Sequence, residues 1–322
     1  IEYYQTGQYG DAEKLAVFIT QKFPKHQFSW KFLGMLFGQT GRHSLAINAN
    51  QKAVLLSPQD AEAHHSLGNT LREMGKLDEA KRSFTQAIAI KPDFVEAYSN
   101  LGATLQGLGS LDEAEANYMQ AIGLRPDHAL AHYNLGNTLK ELGRLDEATL
   151  SYTQAIAFKP DFAEACSNLG TTLQGLGRLD EAKANFMQAI ELRPDYAEAH
   201  RYLALIKMFD SQDEQYSTML ELYLNQNISE EQRCHINFGL AKACEDLKDF
   251  EQAFVHYSEG NMLRKKRVSY KINKDIELFE QLKSSYTNIK QNLVKPDKKS
   301  NNPVPIFIVG MPRSGTTLVE QI

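Results

Sequence analysis

A Lys/Arg-Pro-Asp step occurs four times at one spacing, with Pro92, Pro126, Pro160 and Pro194 each 34 residues from the next. That regularity predicts a stack of equal units, 61–94, 95–128, 129–162 and 163–196, each burying its apolar face only against its neighbours. Every unit holds two stretches of helical periodicity. The first stretch places Leu67, Leu101, Leu135 and Leu169 beside Gly68, Gly102, Gly136 and Gly170. The second places Ala80, Ala114, Ala148 and Ala182, then Ala87, Ala121, Ala155 and Ala189, around Phe84, Tyr118, Tyr152 and Phe186. Small residues let the two helices approach, and the large ones fill what remains. Gly75, Gly109, Gly143 and Gly177 are expected to end the first helix in a left-handed conformation. Asp78-Glu79 and their equivalents put acidic charge at the start of the second helix, where the dipole favours it. Asp93-x-x-Glu96, Asp161-x-x-Glu164 and Asp195-x-x-Glu198 have the form of a capping box for the next helix.

This period and pattern resemble the tetratricopeptide repeat. The resemblance implies an all-α superhelix, a right-handed α-solenoid, whose concave face suits extended peptides or partner helices. Residues 27–60 fit the frame through Trp30, Leu33, Gly34, Ala46, Ala53 and Pro58, with Asn50 where other units carry an aromatic, and 1–26 read as the tail of an earlier repeat. A longer period overlies the first. Unit 95–128 nearly copies 163–196, and 61–94 pairs with 129–162 through "LGNTL" and "TQAI". Arg72-Glu73, Gln106-Gly107, Lys140-Glu141 and Gln174-Gly175 should therefore form alternating charged and neutral bands. Asn100, Asn134 and Asn168 recur at one position of the first helix, with Ser66 there one unit earlier. They resemble the asparagine ladder of the O-linked N-acetylglucosamine transferase superhelix, which implies a groove holding peptide backbone, since an amide both donates and accepts. The alternative is that they bond neighbouring helices.

After residue 196 the array degenerates. Residues 197–225 keep helical periodicity, and Ser229-Glu230-Glu231-Gln232 reads as a capping box. From Cys234 the frame returns through Leu240, Ala241, Phe250, Ala253, Tyr257 and Gly260. Arg264-Lys265-Lys266-Arg267 reads as solvated charge complementing a helix C-terminus rather than a patch for anions. Ile272, Ile276, Phe279 and Leu282 predict a helix near 275–286, packed on the last repeat or a following domain, and the polar tract 295–303 a boundary. The expected organisation is a repeat array over 1–265, a helical and polar connector over 266–302, and the start of an α/β domain over 303–322.

That last stretch, "PIFIVGMPRSGTTL" from Pro305 to Leu318, reads as a buried strand, a Gly/Pro turn and a helix start, a geometry that cradles phosphate. Gly310-x-x-x-x-Gly315 followed by two threonines matches much of the P-loop pattern, but Thr316 stands where an NTPase carries its lysine. The strong cation is Arg313, inside the loop. The stretch resembles the 5′-phosphosulfate loop of sulfotransferases, in the tyrosylprotein-type and bacterial repeat-linked branch, and "NFGLAKACEDLKDFEQAFVHYSEGNMLRKK" resembles the last repeat ahead of the catalytic domain there. The resemblance implies 3′-phosphoadenosine 5′-phosphosulfate as donor, held without metal by the loop amides with Arg313, Ser314, Gly315, Thr316 and Thr317. Arg313 would also stabilise transition-state charge, and the acceptor would be a hydroxyl of a protein or peptide presented by the repeats. Because the chain begins at Ile1 and stops at Ile322, it is expected to be a fragment, inactive alone, with its general base beyond the chain end. A non-catalytic repeat scaffold and a P-loop kinase are the alternatives; the first predicts no donor binding, the second a need for Mg²⁺ and ATP. An unrelated strand–turn–helix is the reading without chemistry.

A formal net charge of −5 at pH 7 argues against nucleic acid as partner, and no apolar run is long enough to span a membrane. Cys166, Cys234 and Cys244 are sparse and odd in number, which suggests a reduced, cytoplasmic setting. The histidines are scattered, and the adjacent His64 and His65 point to different sides of one helix, so no metal site is expected.

Overall fold

The computed structural model describes Tyr3, residues 6–268 and residues 272–291, and these are helical with no strand. The chain divides into two compact units, Ile1–Arg267 and Val268–Ile322. The first opens with α1 (Tyr9–Lys22) and continues as helix pairs: α2 (Gln27–Gln39) with α3 (His43–Leu56), α4 (Ala61–Glu73) with α5 (Leu77–Ile90), α6 (Val95–Gly107) with α7 (Leu111–Leu124), α8 (Ala129–Glu141) with α9 (Leu145–Phe158), and α10 (Ala163–Gly175) with α11 (Leu179–Leu192). The less regular α12 (Ala197–Ile206), α13 (Glu214–Leu224), α14 (Glu230–Asp246) and α15 (Phe250–Val268) follow.

Each pair closes on one contact. A methyl group built on Gly68, Gly102, Gly136 or Gly170 would lie 2.7, 2.7, 2.7 or 2.6 Å from the ring edge of Phe84, Tyr118, Tyr152 or Phe186. All four rings are fully buried. Gly75, Gly109, Gly143 and Gly177 take φ between 71° and 77°, so the helix turns back at a residue for which that conformation costs little. In the pair α2/α3 the aromatic is replaced by Asn50, whose Nδ2 donates to Thr70 Oγ1 at 3.1 Å while its buried Oδ1 finds no donor among the described residues.

The helix starts correct one expectation. The N-caps are Phe94, Phe162 and Tyr196, with no side-chain cap bond, so Asp93, Asp161 and Asp195 stand one residue too early to form capping boxes. Asp60 alone among the repeat starts sits at the cap and accepts from Ala63 N at 3.1 Å. The box at Ser229 and Gln232 is present as expected. A different device ties units together. Trp30 Nε1 donates to Pro24 O at 2.9 Å, and Nε2 of His64, His132 and His200 lies 3.0, 2.9 and 2.9 Å from the carbonyl oxygens of Pro58, Pro126 and Pro194. A carbonyl only accepts, so these imidazoles carry their proton on Nε2.

Among the described residues no helix is long and apolar enough to cross a membrane. In the basic run near the end of α15, Lys266 and Arg267 pair with Glu230 and Glu231 at 2.5 and 2.6 Å, ion pairs the sequence reading did not include. The three cysteines are buried thiols, and burial pushes Cys166 up to about 11. In the second unit α16 (Ile272–Gln291) forms, longer than the sequence suggests, with Ile272, Ile276, Phe279 and Leu282 exposed.

Burial gives the array a pH dependence. His200 and His256 are buried, and desolvation lowers both below the ordinary imidazole value of 6.5. Protonating His200 would put a second N–H at Nδ1, which is buried without a partner among the described residues. Below pH 6.5 the unfolded chain then binds more protons than the folded one, so stability is full above that pH and falls as pH drops, by roughly 1.4 kcal/mol per pH unit for each such group until its folded pKa is passed. Urea melts at pH 7.5 and 5.5 should show a lower midpoint at 5.5; equal midpoints would remove the histidines from the account.

Candidate peptide groove

First helices of successive units touch one another along the stack from α2 to α10, whereas second helices are held further apart, so this part of the chain bends toward its first helices. Residues on the first helices that do not pack inward therefore line the inner side. Asn100, Asn134 and Asn168 lie there, half-buried, on α6, α8 and α10.

The three amides are not equivalent. Asn100 Nδ2 lies 2.9 Å from Asn69 Oδ1 and 2.9 Å from His65 Nε2. Asn168 Nδ2 donates to Asn137 Oδ1 at 2.9 Å and to the Tyr133 hydroxyl at 3.1 Å. Asn137 Oδ1 also accepts from the buried Tyr152 hydroxyl at 2.7 Å. Asn134 makes no such bond, because the residue that would receive it one unit earlier is Ala103. Among the described residues no protein donor reaches Oδ1 of any of the three. The row thus offers an acceptor, a whole amide, and an acceptor.

The surrounding groups are neutral where these bonds require it. Burial holds the His65 ring below its usual value, which keeps Nε2 an acceptor for Asn100, and burial raises the Tyr133 and Tyr152 hydroxyls. Further along, Gln106 Nε2 donates to Glu141 at 2.5 Å and Lys140 Nζ donates to Thr171 Oγ1 at 2.8 Å. Side chains from the expected charged and neutral bands thus cross from one unit to the next. His65 and His64 point apart, the first into this network and the second to Pro58. Sequence reasoning had singled out neither Asn69 and Asn137 nor His65 and Tyr133 as groove residues. The signal was present in the "LGNTL" shared by alternate units, whose asparagine is this partner.

Arg313, Ser314, Gly315, Thr316 and Thr317 lie outside the described residues, as do the strand and helix start expected around them and the polar boundary at 295–303.

Comparison with known proteins decides the kind of unit. Family models described as TPR or tetratricopeptide repeats match residues 49–82, 68–109, 93–161 and 163–196. These units are tetratricopeptide repeats. An uncharacterized protein of Aquifex aeolicus (strain VF5) is similar to the chain, 31% identical over 116 residues, which make up 35% of this chain and only 15% of that protein's length. Among solved structures, the chain resembles PilF of Pseudomonas aeruginosa, with 18% identity, a TM-score of 0.56 and coverage of 64% of this chain and 94% of that one. It also resembles PilW, a widely conserved type IV pilus biogenesis factor, with 19% identity, a TM-score of 0.56 and coverage of 68% and 94%. At these identities the likeness is one of fold, an all-helical tetratricopeptide solenoid.

Proposed function

We propose that the repeats form a protein-interaction module whose inner face holds an extended segment of a partner protein by its backbone. The observation that carries this reading is Asn134, a half-buried amide with no side-chain partner among the described residues, set between two asparagines whose Oδ1 takes no protein donor. An extended chain offers alternating N–H and C=O groups, and such amides meet both without reading sequence. The structural and binding roles separate cleanly. Asn134→Ala should weaken a peptide selected on the protein by about 0.5–1.5 kcal/mol, the size of one hydrogen bond, and leave the melting temperature unchanged. Asn100→Ala and Asn168→Ala should lower melting as well, because they also break the bonds to Asn69 and Asn137. An Asn134→Ala protein that binds as tightly as the parent would sink the backbone-ladder reading.

A finer proposal concerns what becomes of the bound segment. Its support is in the sequence: a Gly-bounded loop with one arginine and paired threonines, and no lysine at position 316. We propose that Arg313, Ser314, Gly315, Thr316 and Thr317 hold 3′-phosphoadenosine 5′-phosphosulfate, and that the groove presents an acceptor hydroxyl to it. The acceptor oxygen then bonds to sulfur, the sulfur–oxygen bond to phosphate breaks, the hydroxyl proton passes to a general base, and adenosine 3′,5′-bisphosphate leaves. The test is transfer of labelled sulfate to a groove-selected peptide by the natural full-length protein, with no metal added.

A further inference from the structure

Most cations on the array that are not fully exposed have a carboxylate. Lys31, Lys81, Arg193, Lys207, Arg233 and Lys242 all pair with Asp or Glu. Among the described residues, the half-buried cations without such a partner are Arg72 and Lys140, on the first helices α4 and α8, and Arg201, on α12. Arg201 is otherwise occupied, with its guanidinium 5.7 and 5.3 Å from the ring centres of Tyr202 and Phe238. Arg72 and Lys140 remain, at the same place in units 61–94 and 129–162, exactly two repeats apart in register.

The Arg72 side chain makes no hydrogen bond among the described residues, and its Nε is buried without a partner there. Among the described residues Lys140 Nζ reaches only the Thr171 hydroxyl, a bond Arg72 has no counterpart for because Ala103 stands where Thr171 does. Nearby carboxylates are engaged or distant: Glu73 lies 3.3 Å from His43 Nδ1, Glu141 accepts from Gln106, and Glu198 acts on Lys140 through its field without contact. Desolvation pushes the Lys140 ammonium below its usual value. A cation partly withdrawn from water without a counter-ion is held at a cost, and an arriving carboxylate removes that cost.

We propose that Arg72 and Lys140 are two carboxylate subsites of the inner groove, and that the segment bound there carries acidic side chains at matching spacing. This rests on the groove reading above. First helices in contact lie about 8–10 Å apart, so two units span roughly 16–20 Å, and an extended chain covers that in about five or six residues at ~3.3 Å each. Side chains on one face of an extended chain are an even number apart, which selects roughly six. Between the two ends, Asn100 and Asn134 meet the backbone. The subsites differ in kind, since the guanidinium of Arg72 can take both carboxylate oxygens and Lys140 offers a point charge.

The experiment is a synthetic array of random dodecapeptides probed with the labelled full chain, followed by solution affinities of the best binders and of their Glu→Gln and Asp→Asn forms. Bound peptides should be enriched in acidic pairs about six residues apart, with each neutralisation weakening binding about tenfold at low salt. Arg72→Gln should abolish the preference at one end and Lys140→Gln at the other. Arg72→Met, which keeps the stem, is the second variant should Arg72→Gln fold poorly. Binders without acidic preference, or a preference that survives both substitutions, overturn the subsites and leave the backbone groove standing. An array with no binders overturns both.

Discussion

Phe186→Ala is expected to lower the stability of the repeat array by about 3–5 kcal/mol, the range for removing a fully buried aromatic. Phe186 has no exposed surface, and its ring stacks on Tyr202 with centres 5.6 Å apart and planes at 21°. The ring also fills the hollow over Gly170 so closely that a methyl there would sit 2.6 Å from its edge. Gly170→Ala alone is therefore expected to destabilise, because the ring is wedged between two helices and has nowhere to move. In a Phe186→Ala background the same methyl enters vacated space. The double variant should be more stable than the sum of the single costs predicts, by on the order of 1 kcal/mol or more. Each repeat is coupled mainly to its neighbours, so the loss should appear first as an early transition of this part of the stack rather than a uniform shift. Urea unfolding of the four proteins, followed by far-ultraviolet circular dichroism, measures both effects. Additive costs would mean that the glycine and the ring do not share the space.

The Gly170–Phe186 contact could be read in advance because the 34-residue register aligns residue types, and a glycine facing an aromatic in four successive units has one geometric explanation. The same register explains why the capping boxes were misplaced. Phe94 N bonds to Lys91 O at 3.1 Å, a turn that encloses Asp93 and starts the helix one residue later. Asp60, the register equivalent of Phe94, shows where a capping carboxylate has to stand. In the groove, the recurrence of Asn100, Asn134 and Asn168 was legible. The inequality among them was not, since the fate of each Nδ2 is decided by a residue 31 positions earlier, Asn69 or Ala103 or Asn137, on a different helix. Periodicity within one unit does not carry that information; pairing alternate units does. The irregular α12 to α15 were visible only as helical periodicity, because the glycine, alanine and proline positions that fix the frame elsewhere are largely replaced there.

Arg313→Ala, in the natural full-length protein, is expected to lower sulfate transfer by about 10²-fold or more, the scale for removing one donor to transition-state charge. Arg313 is the sole basic side chain between Lys299 and Ile322, so no neighbour in sequence replaces its charge. In the proposed reaction, negative charge on the phosphosulfate oxygens grows as the sulfur–oxygen bond to the leaving phosphate breaks. A group that meets those oxygens binds the transition state more tightly than the donor, so its loss should reduce kcat more than it raises KM for the donor. Arg313→Lys should recover part of the rate only, because a point charge cannot reproduce the two-pronged contact of a guanidinium. Thr317→Ala should act mainly on KM, since a hydroxyl on the phosphate is used equally before and during transfer. Steady-state kinetics with 3′-phosphoadenosine 5′-phosphosulfate and no added metal, beside a control with ATP and Mg²⁺, separate the alternatives. Unchanged turnover by Arg313→Ala would remove the residue from the mechanism. Activity with ATP and Mg²⁺ alone would replace sulfate transfer by phosphoryl transfer, and no transfer with either donor would leave the repeats as the whole function, a scaffold that binds its partner and does no chemistry on it.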